Sequence, residues 1–370
     1  MAFQGSPFEG VSTQELLVQL SGKKRAEKKL PTWFKTHGVI YPPNLNLEQT
    51  SSEITAEYKA SLTFGANMVD LTGGFGIDSF YFAQKVQNLK HFELNEELQE
   101  IARHNFEILG AKNVISEAGD GMEFLRNTSE EFDCIYLDPS RRDDLGGRVF
   151  FLSDCLPNVP ENMELLQRKS KKILIKTSPL LDLQAGLKEL KNVEEIHIVA
   201  VDNDVKELLW IIQREPSEEQ VLVKTVNFQK NEKQVFESLL GNGSTEEYSE
   251  PLTYLYEPNA AIMKSGLFAD LGRKLDLKKL HPNTQLFTSE TLKNFPGRHF
   301  RILKILPYKR KQLKKELDLK KANITTRNFS ESVESLRKML KFKDGGKDYL
   351  FFTTLFSGDK AVLVCEKCVD

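Results

Sequence analysis

The central part of the chain alternates short apolar runs with longer amphipathic stretches. The apolar runs have the length of buried strands, and the stretches between them repeat their apolar residues at helical spacing. The stretch 95–110 carries Leu98, Ala102 and Phe106 on one side and ends at Gly110. The predicted strands are residues 67–71, 90–94, 113–120, 132–138, 171–177, 194–201 and 208–215. Strands that alternate with helices predict an α/β domain with a mostly parallel sheet.

Helical segments precede this domain, and a mixed α and β region follows it. Residues 12–22 and 51–62 predict helices, the first with Ser12 and Glu15 at capping-box spacing. The run 241–251 is rich in Gly, Ser and acids, which is typical of a linker. The predicted order is a helical segment over 1–60, the α/β domain over 61–240, the linker over 241–251 and an α+β region over 252–370.

Within the α+β region, three patterns predict individual elements. Residues 259–275 predict one helix, 300–308 alternate as a strand does, and the two apolar runs on either side of 357–360 predict a hairpin.

The composition is that of a globular protein with a buried core. Of 370 residues, 40% are hydrophobic and 28% are charged, which excludes global disorder, and the net charge of −2 excludes a uniformly basic nucleic-acid binder. No apolar run approaches the ~18–20 residues that span a bilayer. The first ten residues lack the basic and apolar parts of a signal peptide. Four cysteines do not make a disulfide scaffold. We therefore expect a cytoplasmic protein without a membrane partner.

Charge is unevenly distributed along the chain. Residues 301–343 contain 14 Lys or Arg against 4 Asp or Glu, a local excess of ten positive charges, so the remainder carries −12. A segregated basic segment is typical of a surface that meets a polyanion, and a solvated helix face is the alternative. The candidate substrate-binding residues of this segment are Lys309, Arg310, Lys314 and Lys315.

Acidic residues follow four successive predicted strands. Asp70, Glu93, Asp120 and Asp138 stand at the carboxyl ends of these strands. The carboxyl ends of parallel strands meet at one edge of the sheet, which is where open α/β sheets bind ligands. Glu93 has the position of a carboxylate that accepts hydrogen bonds from ribose hydroxyls. The pattern therefore predicts a nucleotide-binding site.

The turn after the first strand indicates which nucleotide is bound. Gly73, Gly74 and Gly76 let the backbone approach a ligand closely. Asp70 stands directly before them, and its carboxylate would repel the pyrophosphate of NAD. The same carboxylate suits the cationic amino group of S-adenosylmethionine, which carries a sulfonium and no phosphate. Electrostatics therefore favour S-adenosylmethionine over NAD.

These motifs resemble a known family. Asp-x-x-Gly-Gly-x-Gly from Asp70, Glu93, Asp120 and Asp138-Pro139 are similar to motifs I to IV of class I S-adenosylmethionine-dependent methyltransferases. The strings EQTSSEITAEYKA, VDLTGGFGID, LDPSRRD and IKTSPLLD resemble the bacterial group whose members carry a THUMP-like domain after the catalytic domain.

The resemblance covers residues 12–215 well and 252–370 less sharply. It implies a Rossmann-like methyltransferase domain with a seven-stranded sheet. It also implies a small ferredoxin-like domain over 252–298 and a THUMP-like, RNA-binding domain over 299–370.

The resemblance further implies a role for each motif residue. The implied contacts are Asp70 with the methionine amine, Thr72, Gly73, Gly74 and Gly76 with methionine and ribose, Glu93 with the ribose hydroxyls, Asp120 and Gly121 with adenine, and Asp138 and Pro139 with the methyl group and its acceptor.

Two positions depart from the family pattern. Thr72 stands where many members have the first glycine. Asp138 and Pro139 are followed by Ser140 and Arg141, without the aromatic residue that stacks on a flipped base. The departure argues against methylation of an exocyclic N6 and leaves other RNA positions open.

The chemistry of methyl transfer needs alignment and sometimes a proton acceptor, and no metal. Asp138 is the candidate for orienting or deprotonating the acceptor. Arg141 and Arg142 are candidates for clamping a phosphate, and ion pairs with the two aspartates that follow are the alternative. Lys176 either lines the acceptor side or is solvated.

Two other features carry weaker signals. Cys365 and Cys368 have the spacing of metal or redox pairs, but without further ligands we interpret them as a non-functional tail. Trp33 and Phe34 stand beside a basic run, where packing on the core is favoured over contact with nucleic acid.

The predicted function is methylation of a structured RNA, either tRNA or rRNA, with S-adenosylmethionine as the cofactor. Two alternatives stay open. One is a methyltransferase acting on a protein or a small molecule, with the basic segment merely solvated. The other is a non-catalytic RNA-binding module with a degenerate cofactor fold, against which the acids at four strand ends argue.

Overall fold

The computed structural model of the protein describes residues 6–8, 10–42, 50–141, 151–215, 219–230, 232–243 and 245–368, with Arg141 described for its backbone. The chain divides into two compact units. The first contains residues 1–196 and 207–219, and the second contains residues 197–206 and 220–370.

The first unit is an alternation of helices and strands. Its helices are α1 (Thr13–Lys29), α2 (Pro31–Lys35), α3 (Glu53–Ala60), α4 (Ile77–Ala83), α5 (Glu96–Leu109), α6 (Gly121–Asn127), α7 (Val159–Lys169) and α8 (Leu183–Glu189). Its strands are β1 (Asn67–Asp70), β2 (Asn88–Glu93), β3 (Val114–Ala118), β4 (Phe132–Leu137), β5 (Ser140–Arg141), β6 (Cys155–Leu156) and β7 (Ser170–Thr177). A hairpin follows, with strands β8 (Val193–Val201) and β9 (Asp204–Gln213), of which residues 197–206 are assigned to the second unit.

The strands of this unit belong to a nine-stranded sheet, in which β8-β9-β7-β4-β1-β2-β3 follow one another in this order. Strand β1 pairs in parallel with β2 and β4, β2 pairs in parallel with β3, and β4 pairs in parallel with β7. Strand β9 runs antiparallel to β7. The predicted mostly parallel Rossmann-like sheet is confirmed, and because β1 and β4 are neighbours, their carboxyl ends meet at its centre.

Local sequence signals define several helix ends. The Ser12 hydroxyl accepts from the Glu15 N–H at 3.1 Å, and Glu15 Oε2 accepts from the Ser12 N–H at 2.7 Å, so the predicted capping box is confirmed. Helix α5 begins at Asn95, whose side chain accepts from the Leu98 N–H, and ends at Gly110 in the left-handed conformation.

Large buried side chains pack between the helices and strands of the first unit. Trp210 on β9 is fully buried, and a Cβ at Gly186 of α8 would lie 2.4 Å from its ring, so only glycine fits there. Trp33 is buried against the edge of Phe80, with ring centroids 4.8 Å apart. The packing interpretation of Trp33 is therefore confirmed.

The second unit is built mainly from antiparallel strands. Its strands are β10 (Leu222–Gln229), β11 (Glu232–Leu239), β12 (Tyr254–Pro258), β13 (Lys278–His281), β14 (Thr284–Ser289), β15 (Gly297–Pro307), β16 (Asn323–Arg327), β17 (Asp348–Thr354) and β18 (Lys360–Lys367). Its helices are α9 (Ala260–Ser265), α10 (Phe268–Leu275), α11 (Arg310–Glu316) and α12 (Val333–Leu340).

Strands β12 to β18 form one sheet with the order β13-β14-β12-β15-β18-β17-β16. The predicted hairpin is confirmed as the antiparallel pair β17 and β18. One apolar cluster includes Leu313 of α11 and Leu336 of α12, and a second includes Cys365 of β18, which is fully buried. Residues 245–251 also belong to this unit, where Tyr248 stacks on Phe356.

The prediction of a single helix over 259–275 was wrong. Helix α9 ends at Gly266, which has a φ of 70°, and α10 begins at Phe268. A left-handed residue ends a helix, and glycine adopts that conformation without steric cost. The apolar periodicity continues through the break, so the pattern alone does not reveal it.

Candidate active site

A cleft of about 680 Å³ opens at the carboxyl edge of the sheet in the first unit. The ends of β1, β2 and β4 and the beginnings of α4 and α6 form its walls. It is lined by all the residues predicted to bind the cofactor and by the predicted catalytic aspartate: Asp70, Thr72, Gly73, Gly74, Gly76, Glu93, Asp120, Gly121 and Asp138.

Asp70 anchors the turn that follows β1. Its carboxyl is fully buried and accepts from the Thr72 N–H at 3.0 Å and from the Ser79 hydroxyl at 2.6 Å. Burial raises its pKa to about 7, although these two hydrogen bonds oppose the rise. Both carboxyl oxygens are therefore engaged inside the protein, which holds the turn against the first turn of α4.

The glycines of this turn are required by its geometry. A Cβ at Gly73 would lie 2.1 Å from His91 Nε2, and Gly74 and Gly76 have φ of 56° and 83°. His91 is buried beneath the turn, and burial lowers its pKa to about 4, so its ring is neutral at physiological pH. The neutral imidazole supports the turn without adding charge to the cleft.

Glu93, at the end of β2, connects the turn to the next helix. Its Oε2 accepts from the Gly74 N–H at 2.8 Å, and its Oε1 accepts from the Asn95 N–H at 2.9 Å. A carboxylate has about four lone-pair sites, so each oxygen retains capacity for a further donor. The side chain is thereby fixed at the wall of the cleft with acceptors to offer to a ligand.

Asp120 and Gly121 form the beginning of α6. Asp120 Oδ1 accepts from the Met122 N–H at 2.7 Å and from the Glu123 N–H at 3.3 Å, so one oxygen caps the helix. A Cβ at Gly121 would lie 2.7 Å from the Leu71 carbonyl oxygen. Glycine at this position lets α6 approach the end of β1 and narrows the cleft there.

Asp138 directly follows β4 and forms an ion pair with Lys176 of β7. The Asp138 N–H donates to Thr72 Oγ1 at 2.7 Å, so the threonine that departs from the family pattern links the two central strand ends. Burial lowers the pKa of Lys176, but the nearby carboxylates, Asp138 first, outweigh it and raise that pKa above its usual value. Pro139 is half-buried and follows directly.

Sequence reasoning missed a buried network beside Asp138. Lys59 of α3 is fully buried and donates to both Glu207 oxygens, at 2.9 and 2.8 Å, and to the Ser51 hydroxyl at 2.8 Å. Asp78 lies 3.2 Å from the same ammonium and accepts from the Tyr136 hydroxyl at 2.8 Å. The only signal in the sequence was a lysine on the apolar side of a short helix.

The other predicted substrate-binding residues lie elsewhere. The side chain of Arg141 and all of Arg142 lie outside the described residues. In the second unit, α11 buries Leu313 and exposes its basic residues, which are listed here with the residue before the helix: Lys309, Arg310, Lys314 and Lys315.

The surface of α11 has few charge partners. Arg310 pairs with Glu331 at 3.2 Å, whereas Lys314 and Lys315 form no salt bridge with another described residue. Two exposed ammonium groups are therefore available to an external anion.

Two further observations concern the described part of the chain. None of its helices has the length and apolar character needed to cross a membrane. No three His, Cys, Asp or Glu side chains converge there in a way that would hold a metal ion.

Comparison with known proteins identifies one similar structure for the whole chain and two domain families for its C-terminal part. A protein of Porphyromonas gingivalis W83 assigned as a methyltransferase is similar to this chain over nearly its full length. Its crystal structure superposes with a TM-score of 0.90 and 33% identity, over 98% of this chain and 93% of that one. Residues 254–296 match a ferredoxin-like domain, and residues 297–367 match a THUMP domain-like family.

Two curated relatives share shorter stretches. An uncharacterized RNA methyltransferase of Mycoplasma mobile is 27% identical over 134 residues, which is 35% of this chain and 36% of that protein. The tRNA (guanine(26)-N(2))-dimethyltransferase of Methanobrevibacter smithii is 30% identical over 105 residues, 27% of each chain. The chain thus spans 36% and 27% of the lengths of these two relatives.

The similarity to the Porphyromonas protein, at 33% identity over nearly the full length of both chains, establishes the family to which this chain belongs. The chain belongs to the class I methyltransferases whose catalytic domain is followed by ferredoxin-like and THUMP-like domains.

Proposed function

We propose that the protein transfers the methyl group of S-adenosylmethionine to a structured RNA. The observation that carries the proposal is the cleft itself, where carboxylates from four adjacent strand ends surround a glycine-rich turn. Acids at this edge disfavour a phosphate-bearing cofactor and suit one that is cationic and free of phosphate.

The cleft offers a partner to each part of the cofactor. Glu93, held by the Gly74 and Asn95 N–H groups, would accept from the ribose hydroxyls. Asp120 caps α6 with one oxygen and would turn the other to the adenine amine. The turn from Thr72 to Gly76 would enclose the methionine part, with Asp70 fixing the turn from below.

The cofactor supplies an electrophilic methyl group on a sulfonium. In the transfer the S–CH3 bond breaks with its electron pair returning to sulfur, while the acceptor atom forms the new bond. Asp138 would orient the acceptor and take up its proton or pass it to water. Because Asp138 is ion-paired with Lys176 at the end of the central strands, it is placed to accept a hydrogen bond from the acceptor group.

An RNA substrate accounts for the second unit. The exposed lysines of α11, together with the THUMP-like match, provide a surface that attracts phosphates without reading sequence. The relatives named for RNA and tRNA methylation support the same substrate class. A cytoplasmic location belongs to the proposal, since all four cysteines are free thiols, as in a reducing compartment.

Asp138→Asn tests the catalytic part of the proposal. The purified protein is incubated with S-adenosylmethionine labelled in its methyl group and with RNA from cells that lack the protein. We expect RNase-sensitive label with the wild type and about 100-fold slower transfer in the variant. The affinity for the cofactor should change by less than about threefold, because Asp138 orients the acceptor.

The same strand provides a matched control. Asp133 is the second residue of β4, whereas Asp138 follows the end of the strand. Asp133 pairs with Lys171 at 2.7 Å, five residues before Lys176. Asp133→Asn should leave the transfer rate within about twofold of the wild type, since this pair lies at the opposite edge of the sheet. Label found in protein or small molecules instead of RNA would contradict the proposed substrate.

A further inference from the structure

The first unit carries a basic surface of its own, which the proposed function does not use. Residues 23–35, from the last part of α1 to the end of α2, contain six Lys or Arg against one acid, Glu27. The net charge of −2 thus combines +5 in this segment, +10 in residues 301–343 and −17 in the rest of the chain. Each unit therefore has one strongly basic segment within an otherwise acidic chain.

The packing of α1 leaves its lysines in solvent. Gly22 is buried against Tyr41, where an added Cβ would lie 2.4 Å from the Tyr41 Cβ, so the helix lies close against the chain on that side. Lys23, Lys24 and Lys28 are exposed, and none of them forms an ion pair with another described residue. Three ammonium groups are thus available to an external anion.

The stability of the helix does not explain these charges. Cations in the last turn of a helix interact favourably with its dipole, which accounts for Lys28 and Lys29. Lys23 and Lys24 lie further from the end, and this effect falls off within the last turn. Lys24 and Lys28 are four residues apart, a spacing at which like charges repel each other on the helix surface. An anionic partner therefore explains the surface better than folding does.

The surroundings of the lysines favour RNA over a lipid bilayer. The Lys23 ammonium lies 5.7 Å from the ring centroid of Phe34, which is half-buried. Surfaces that bind single-stranded RNA combine cations for the phosphates with aromatic rings for the bases. The apolar residues of the segment 22–29, which the structure describes throughout, are Gly22 and Ala26, and both are buried. This part of α1 therefore offers no apolar face that could enter a membrane.

The basic surface is fixed to the border of the cleft. Thr32 of α2 donates from its N–H and its hydroxyl to the Glu53 carboxylate, the hydroxyl at 3.1 Å. Glu53 is the first residue of α3, and Thr50 and Ser51, just before it, line the cleft. The residue that anchors α2 thus lies two positions after the lining, so an RNA held on this surface has its neighbouring nucleotides close to the cleft.

We propose that Lys23, Lys24 and Lys28 of α1 bind phosphates of the RNA substrate and hold it at the cleft of the first unit. The inference rests on the proposed function, because it names the surface through which the catalytic unit holds that substrate. Each lysine neutralises a phosphate and releases counter-ions, without reading sequence. The lysines of α11 then contribute separately, from the second unit.

Replacement of all three lysines with alanine in the full-length protein tests the inference. Alanine has the highest helix propensity, so α1 should keep its structure. Filter binding uses RNA from cells that lack the protein. The slope of the logarithm of RNA affinity against that of the salt concentration should decrease by about 2 to 3, and at about 0.15 M salt the affinity should fall about tenfold. The affinity for S-adenosylmethionine in calorimetry should not change.

Two further readouts separate phosphate contact from a structural role. The KM for RNA should rise about tenfold while kcat stays within about twofold of the wild type, because these contacts are the same in the ground state and the transition state. Arginine at all three positions keeps the charges, so this second triple variant should retain the wild-type slope.

Lys85, Lys112 and Lys188 are the matched control, since all three are exposed on the same unit. Replacing them with alanine should leave the slope as it is in the wild type. An equal loss of slope in both alanine variants, or no loss in the α1 variant, would overturn the inference while methylation of RNA by the wild type still supports the proposed function. If the folded wild type neither binds nor methylates RNA, the proposed function fails and the inference fails with it.

Vesicles of phosphatidylcholine and phosphatidylglycerol in equal parts test the competing partner. Leu17 and Leu20, in the preceding turns of α1, are 46% and 47% exposed, which makes this arm of the experiment necessary. We expect the wild type not to sediment with the vesicles at the salt concentration at which it binds RNA. Sedimentation that is lost in the α1 alanine variant, together with unchanged RNA binding, would assign the surface to anionic lipid and contradict the inference.

Discussion

The two units of this protein use charge in opposite ways. In the first, acidic residues from separate strands converge on one cleft, and Asp70 at its centre is fully buried. In the second, basic residues are spread over an exposed helix, as Lys314 and Lys315 are. Buried charges interact strongly with each other and with a ligand, whereas exposed charges are screened by water and salt. A single substitution in the cleft of the first unit should therefore change the affinity for a ligand measurably. In the second unit, only the combined removal of several basic residues should change the affinity for RNA measurably.

The contrast is tested most strongly by Glu93→Ala. The substitution removes the carboxylate that fixes Gly74 and would accept from the ribose. Hydrogen bonds to a charged group are worth about 1.5–3 kcal/mol each. We expect the dissociation constant for S-adenosylmethionine to rise about 50-fold or more in calorimetry, with RNA binding unchanged.

Glu117 on the neighbouring strand β3 provides the control for this experiment. It stands opposite Phe92 in the sheet, one residue from Glu93, and its side chain is exposed. Glu117→Ala should leave the affinity within about twofold of the wild type. A comparable loss in both variants would mean that the strands as a whole, and not the Glu93 carboxylate, control binding.

Asp70→Asn should have a smaller, pH-dependent effect on the free energy of unfolding. The usual pKa of an aspartate is about 3.9, and in the folded protein that of Asp70 is about 7. The folded state therefore holds the proton more tightly, and this contribution to stability is complete below about pH 4 and lost as the pH rises through about 7.

An asparagine at this position stays neutral at every pH. Without cofactor, Asp70→Asn should be more stable than the wild type by on the order of 1–2 kcal/mol at about pH 8, and the difference should vanish towards about pH 4. Urea unfolding at a series of pH values measures it. A difference that does not vary with pH would show that Asp70 is not held protonated by burial.

The smallest single effects are expected in the second unit. Lys314→Ala with Lys315→Ala removes two phosphate contacts. RNA affinity should fall a few-fold, and the slope of its logarithm against that of the salt concentration should decrease by about 1.5. Filter binding over a range of salt measures this slope, and the affinity for S-adenosylmethionine should not change.

Lys85 and Lys112 serve as the control pair, since both are exposed on the first unit. Replacing them with alanine should leave the slope as it is in the wild type. If the slope decreases equally in both double variants, RNA is attracted by charge in general and not by the surface of α11.

Much of the fold could be predicted because its signals are local. The alternation of apolar runs and helices predicted the parallel sheet, and Ser12 with Glu15 predicted the beginning of α1. The break at Gly266 could not be predicted, since the apolar period continues through it and only the backbone conformation of one glycine ends the helix. Local patterns therefore define elements better than their ends.

The candidate site likewise divides into features that local sequence patterns predict and features that they do not predict. Asp70, Glu93, Asp120 and Asp138 could be named from the sequence because each stands at or just after the end of a strand, and parallel strands bring such positions to one edge. The domain boundaries and the roles of these residues stay predictions, to be decided by the experiments above.

The sequence by itself determined the class of fold, the acids at the edge of the sheet and the basic segment of the second unit. The tertiary structure decided which charges meet. Lys59 and Glu207 are 148 residues apart and pair only because the fold brings α3 to the beginning of β9. Whether a carboxyl is ionised, paired or available to a ligand depends on its neighbours in space and on the exclusion of water, and neither is written in any local stretch of the chain.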